Sequence, residues 1–428
     1  MLKILSADQF TGELLEEDIR AGMNPQLTQQ VQKIIDRVRA EGDQALFWHS
    51  QEFDGVNLQP EGLQADPKSF SCAAERIDES LRDAVSTTID NVSRFHQREM
   101  SEDWFDLRAE GTLVGQVVRP LKRVGVYMPG GQARYISSLI MGAVPAQVAG
   151  VKEIVVCTPP VQNSEQEMIV KACAEMLGIT KMFWAGGAAA VAAMTWGTQT
   201  VPRVDKIVGP GGRYLVAAKR LVYGVVGIDS LAGPSELAVL CDESSDAEIV
   251  AADLLAQAEH DADAGVYLFC TSEDKVKEIK KQMRRQMKQF SKSEIIESSC
   301  ADGAAVVAPS GELYRCIDAL APEHLSVQTE IPTQDWEQCS NAGVVFLGRE
   351  TAPALGDYSG GPNHVLPTGR TARFASPLRV VDFLKSTNVL RVSPSGLEEL
   401  GRPTAVMARA EGLDAHAESV QRRMGDPR

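Results

Sequence analysis

The feature that most restricts this chain is an alternation that begins at residue 123 and runs to residue 348. Short apolar runs of strand-like composition, many closed by a glycine-rich turn, give way to stretches with helical spacing. RVGVYM reads as a strand, PGGQARY as a turn, SSLIMGAVPAQVAG as a helix and KEIVVCTPP as a second strand, together a βαβ unit of the usual length. KMFWAGG then leads to AAAVAAMTW, DKIVGPGG to RYLVAAKRLVYG, and SELAVLCDE to a further helix, while AGVYLFCTS, GAAVVAPS and NAGVVFLG continue the strands. Strands separated by helices pair in parallel, so an α/β fold with mainly parallel sheets is expected, with enough strands for two of them. No short-period repeat is visible, which excludes a solenoid.

The flanks read differently. Residues 1 to about 110 are expected to be mostly helical, because QLTQQVQKIIDRVRAEGDQALFWHSQEFDG places apolar residues every three or four positions, with Gly42 and Gly55 as stops. Trp48, His49 and Phe53 fit packing roles, and His49 and His96 read as structural or surface histidines. After Arg370 the strand pattern fades through VVDFLKSTNVLRVSPSGLEELG into a helical stretch, AVMARAEGLDAHAESVQRRM. That tail is amphipathic but too short to build a core, so it must dock on the body or on a partner subunit.

Composition narrows the class. A chain of 428 residues exceeds one average domain and needs no disulfides for stability. Its eight cysteines form no CxxC pair and mostly sit in apolar runs, as expected of reduced core residues in a cytosolic protein without a cysteine metal site. MLKILSADQF lacks the apolar core of a secretory signal, and no run approaches the ~20 residues that cross a bilayer, so a soluble intracellular protein without a membrane partner is expected. A formal net charge of −15 opposes nucleic-acid binding. The one basic run, KVKEIKKQMRRQMKQF, keeps Val276, Ile279, Met283, Met287 and Phe290 at helical spacing and reads as a surface helix.

Several residues could carry chemistry. In LLAQAEHDADA, Gln257 and His260 lie three apart at the end of a helix whose start looks like a capping box of Ser245 and Glu248, with Val250, Leu254 and Ala258 as its buried stripe. The amide and the imidazole could hold a cation or form a polar helix terminus. His260, His324, His364 and His416 occupy polar, turn-flanked contexts late in the chain. A zinc site built from nitrogen and oxygen donors wants about four of them, which makes His260, His416 and Asp357 candidates. Asp357 lies in the loop GDYSGGPNHVLPTG after a strand, a usual place for ligand sites, although a surface turn would look the same. Glu323 and His324 in APEHLSV suit a general acid/base pair if the backbone turns there, and a surface pair equally well. The glycine turns at 129–131, 185–187, 209–212 and 232–236 follow strands but lack the dinucleotide spacing.

Taken together, VGVYMPGG, VDKIVGPGG, GIDSLAGPSE, ADLLAQAEHD, APEHL, GDYSGGPNHVLPTG and AEGLDAH resemble the histidinol dehydrogenase family, over nearly the whole chain. The resemblance implies two Rossmann-like, incomplete dinucleotide-fold domains with helical N- and C-terminal extensions that dock in a dimer. The expected parts are an arm at 1–25, one α/β domain from 26–125 with 236–378, another at 126–235, and a dimerisation tail at 379–428. It also implies a cytoplasmic, zinc- and NAD-dependent homodimer that oxidises L-histidinol to L-histidine in two steps through the aldehyde, the last step of histidine biosynthesis. By the same resemblance Gln257, His260, Asp357 and a partner-supplied His416 are zinc ligands. Glu323 and His324 are the acid/base pair, Ser235, His364 and Glu411 line the substrate pocket, and Tyr127 contacts the cofactor.

Two positions depart from that pattern, both on the cofactor side. GGAAAVAA carries Ala189 where the family usually has glutamine, and GPGG carries Gly212 where it usually has asparagine. Each loses a hydrogen-bonding side chain, worth about 1 kcal/mol if the cofactor group stays solvated. They leave room for a paralogue that oxidises another amino alcohol or polar diol, and for a zinc-dependent hydrolase or binding protein that no longer uses NAD.

Overall fold

The computed structural model describes residues 1–20, 24–130 and 135–425, so the end of the PGGQARY turn at 131–134 lies outside the described residues. The chain forms two compact units: Met1–Glu99 with Leu121–Phe383, and Met100–Pro120 with Leu384–Arg428.

The first unit contains two parallel sheets. One has six strands, in the order β1 (Lys3–Leu5), β11 (Ala304–Val307), β10 (Gly265–Cys270), β9 (Glu236–Cys241), β12 (His324–Gln328) and β13 (Val344–Leu347). The other has five, in the order β6 (Lys181–Trp184), β5 (Glu153–Thr158), β4 (Arg123–Tyr127), β7 (Lys206–Val208) and β8 (Gly227–Ile228). Each strand pair within them is parallel, as the alternating pattern requires. Central strands such as EIVVCT and ELAVLC are buried on both faces and therefore read as unbroken apolar runs. The edge strand β1 was not visible as a strand in the sequence, being only three residues long.

Helices cover both sheets. Residues Gly187–Trp196, GAAAVAAMTW, pack nearly all round, and their small side chains let the helix lie close within the core around Val155, Cys157 and Phe183. Residues Ala247–Ala258 cover the six-stranded sheet with Val250, Ala251, Leu254, Leu255 and Ala258. The start of this helix differs from the expected capping box. Asp246 is the N-cap and accepts from the Glu248 N–H, whereas the Ser245 hydroxyl bonds to the Gln328 carbonyl on β12. Either residue supplies an acceptor, and the strand contact takes Ser245 away from the helix.

The second unit is a three-stranded antiparallel sheet, β14 (Leu384–Val392), β3 (Thr112–Pro120) and β2 (Trp104–Leu107), with helices Pro394–Ala410 and Asp414–Met424. The two helices pack through Ala405, Ala408 and Ala417, and the chain reverses at Gly412 with φ +75°. The sequence concealed β14 because LKSTNVLRV has no buried face within its unit, so the period-2 alternation of a half-buried strand is missing. Trp104, Phe105, Leu107, Leu390, Val406 and Met407 are all exposed, an apolar surface of the kind that marks interaction sites. No helix among the described residues is long and apolar enough to cross a membrane.

His49 is buried with its ring 4.7 Å from Phe53 and beside Gly187, and burial lowers its pKa to about 4. The unfolded chain takes up this proton near pH 6.5 and the folded chain does not. Stability from His49 is therefore complete above pH 6.5 and is lost as the pH falls to 4, by about 3 kcal/mol. Urea midpoints across that range should fall less steeply for His49→Phe than for the wild type; identical slopes would show that the ring is solvated.

Candidate active site

A cavity of about 910 Å³ opens in the first unit. Its walls come from the C-terminal ends of β4 and β7, through Pro129 and Pro210–Gly212, and from segments entering β9, β10 and β12, through Ala232–Ser235, through His260, Asp261 and Asp263, and through Glu323–His324. C-terminal strand ends of one sheet thus face N-terminal strand ends of the other. The first arrangement is usual for ligand clefts in parallel sheets.

Glu323 and His324 both reach this cavity although they are adjacent in sequence. Helix Ser310–Leu320 ends at Ala321 with φ +46°, and β12 starts at His324, so the chain turns sharply just before the pair. One residue of the neighbouring strand holds both. The Glu236 N–H donates to Glu323 Oε2 at 2.8 Å, and the Glu236 carbonyl lies 3.0 Å from His324 Nδ1. A carbonyl only accepts, so Nδ1 carries a proton and Nε2 is the nitrogen free to exchange one. Nε2 lies 3.6 Å from Asp357 Oδ1, and the ring stacks on Phe346 with centroids 5.9 Å apart.

Charge dominates this end of the cavity. Burial alone would lower the His324 pKa, but Glu323 and Asp357 override it and raise it to about 10. The two carboxylates thus favour the charged form of the ring. Burial works against the Asp357 carboxylate too, yet the hydrogen bond and charge of His324 hold its pKa below the usual range. Glu236 behaves oppositely. Burial raises its carboxyl to about 7 and the Glu323 charge adds to that, while the Gly369 N–H opposes it.

His364 is buried and its pKa is lowered by desolvation, so it is neutral. Its Nδ1 donates to the Asp357 carbonyl at 2.8 Å, which leaves Nε2 to accept from the Ser138 hydroxyl at 3.3 Å. Ser138, Glu236 and Phe346 were not singled out by the sequence. Glu236 had a signal, since it ends the AGPSE turn, but Ser138 sits unmarked in an apolar helix.

Ser235, His260, Asp357, His364 and Gly212 line the same cavity. Gln257 is buried in the last turn of the 247–258 helix, and its Nε2 has no hydrogen-bond partner. His260 follows just beyond that helix, with its N–H donating to the Gln257 carbonyl. Among the described residues, no group of three or more His, Cys, Asp or Glu side chains gathers closely enough to hold a metal. Tyr127 ends β4 with its ring buried and its hydroxyl accepting from the Gly187 N–H at 3.0 Å, and it does not line the cavity. Ala189 is buried in the core of the five-stranded sheet. Glu411 and His416 belong to the second unit, where both are exposed, Glu411 capping helix 394–410 and His416 in the first turn of helix 414–424.

A Cβ on Gly356 would lie 2.6 Å from the Phe346 ring, which in turn stacks on His324. Gly356→Ala should overpack this contact and lower stability by about 1–3 kcal/mol. The denaturant midpoint should fall at unchanged slope; a wild-type midpoint would mean that Phe346 is free to move aside.

Comparison with known proteins bears on what this cavity does. A family model described as histidinol dehydrogenase matches residues 19–424. The histidinol dehydrogenase of Chromobacterium violaceum is 42% identical over 433 aligned positions, covering 100% of this chain and 99% of its own. That of Neisseria meningitidis serogroup B is 44% identical, covering 94% of each. The crystal structure of histidinol dehydrogenase from Elizabethkingia anophelis matches with a TM-score of 0.88 at 33% identity, covering 93% of this chain and 92% of that one.

Proposed function

This chain belongs to the histidinol dehydrogenase family, and from that premise we propose that it oxidises L-histidinol to L-histidine in two NAD-linked steps through L-histidinal, with zinc as resident metal. The observation that carries the reading is the joint arrival of Glu323, His324, Asp357, His260, His364 and Ser235 at one cavity.

The donors suit zinc in kind, and a second copy would be needed to complete the set. Gln257, His260 and Asp357 offer oxygen and nitrogen, and the buried Gln257 amide has an unsatisfied end that a half-turn exchanges for its oxygen. A fourth donor would complete the set, which we assign to His416 of a second copy in a homodimer. That assignment accounts for a histidine in an exposed position on a unit with a large apolar surface. When bound, zinc supplies orientation of the substrate's imidazole and amine, and NAD supplies the hydride acceptor.

The chain's own groups move the protons. Once its Nε2 has given up its own proton, His324 takes the hydroxyl proton there as the alcohol is oxidised, and Glu323 and Asp357 stabilise the imidazolium that re-forms. Glu323, fixed by the Glu236 N–H, then accepts a proton from the water that attacks the aldehyde, and the hydrate is oxidised in the second step. Neutral His364, locked in one tautomer by Asp357 and Ser138, and Ser235 contact the substrate. Glu411 of the second copy, five residues before His416, completes the pocket. The turn at 209–212 serves the cofactor side, with Tyr127 behind it, its carbonyl against Gly209. The cavity lies at the upper end of ligand-site volumes, enough for more than one small molecule. No membrane or nucleic-acid partner is involved, and the cytoplasm is the expected compartment.

The test is complementation. Zinc-loaded wild type should reduce NAD with L-histidinol, whereas His324→Ala and His416→Ala should each lose about 10²–10⁴-fold in turnover. Mixed and re-dimerised, the two dead variants should regain up to a quarter of wild-type activity, since one site in each heterodimer is intact. Heterodimers that form but stay dead would refute the shared site, and a wild type inert with L-histidinol would refute the substrate.

A further inference from the structure

The turn Gly209–Gly212 joins β7 to helix Arg213–Val222 and lines the cavity with Pro210, Gly211 and Gly212, yet none of its side chains can fix it. Gly209 has φ +119°, and a Cβ there would lie 2.2 Å from the Tyr127 carbonyl oxygen, so only glycine is accommodated. Gly212 stands at the helix N-cap without a side-chain hydrogen bond. A turn this rich in glycine has many conformations to lose, and something must select one.

The selecting group lies behind the turn. Lys219, in helix 213–222, and Asp229, just after β8, form an ion pair with side chains only 2% and 3% exposed. Lys219 Nζ also donates to the Gly209 carbonyl at 3.0 Å, and Asp229 Oδ2 accepts from the Gly209 N–H at 2.8 Å. The Asp229 N–H donates to Ile207 on β7, which ties the carboxylate's backbone to the adjacent strand. Both backbone polar groups of one glycine are thus held by the two halves of one buried ion pair. Such pairs add little net stability, because desolvation offsets attraction and apolar replacements are often neutral. Their geometric effect is local and strong, since charge-assisted hydrogen bonds fix direction as well as distance.

We propose that Lys219 and Asp229 are positioning residues for the cofactor, holding the Gly209–Gly212 turn in the one form that lets a dinucleotide lie against its backbone. The proposal rests on the NAD-linked reading above. Neither residue lines the cavity, and the acid/base end is held by Glu236, so the clamp acts on cofactor affinity and leaves substrate handling alone.

The test uses zinc-loaded full-length protein and NADH as probe, read by the change in NADH fluorescence on binding. K219M/D229N removes both buried charges together, so none is left unpaired, and should raise the NADH Kd and the KM for NAD about tenfold, the scale of one charge-assisted hydrogen bond. KM for L-histidinol and kcat at saturating NAD should stay within about twofold. A merely structural role would instead reduce the folded, active fraction without altering Kd. K219R is the second variant, which decides the matter should the double variant not fold. It keeps the charge but replaces a point donor with a planar fork, and should raise Kd about threefold. A wild-type Kd in a folded double variant, or in K219R, overturns the clamp alone. A wild-type protein that binds no NADH overturns the cofactor reading and the clamp with it.

Discussion

Taking His324 out of water costs several kcal/mol if it is charged, and the structure meets that cost with the Glu323 and Asp357 carboxylates rather than with neutrality. The rest of the acidic end follows. Asp357 is held ionised by His324, its carbonyl sets the tautomer of His364, and Glu236 fixes both members of the acid/base pair through its backbone. Removing any one charge leaves another buried without compensation, so these side chains form one electrostatic unit whose members do not act additively.

The fold serves this unit by bringing opposite strand ends together. The sheet holding β4 and β7 presents glycine turns, where backbone can approach a large ligand closely. The sheet holding β9, β10 and β12 presents titratable side chains at strand entrances, where one adjacent backbone can pin two residues at once. The division gives the cavity an acidic, chemically equipped end and an end where the glycine turn lies beside Arg213 and Arg220. Fixing the turn from behind, by Lys219 and Asp229, leaves the space in front of it free for a ligand.

Much of this was legible in the residues. Apolar runs closed by glycine turns gave the parallel sheets, because strands buried on both faces need apolar side chains throughout and βα connections need tight turns. Gln257 and His260 could be placed at a helix end by spacing alone. Spacing could not bring Asp357 or the Glu323–His324 pair to them, since those meet only through the order of strands in a sheet. The family motifs supplied that link, and they are the sole ground for assigning Glu411 and His416 to it. Strand β14 was hidden because its unit leaves it almost entirely exposed, and Ser138 because a serine in an apolar helix looks like a small core residue. The charged state of His324 was hidden too, being a property of three segments meeting rather than of APEHL itself.

The central claim is that one cavity carries the alcohol all the way to the acid without releasing the aldehyde. An end-point titration tests it most directly: limiting L-histidinol is added to zinc-loaded protein with excess NAD, and the NADH formed is counted. The account predicts two NADH per L-histidinol, with L-histidine as the only product. One NADH with free aldehyde in solution would contradict it.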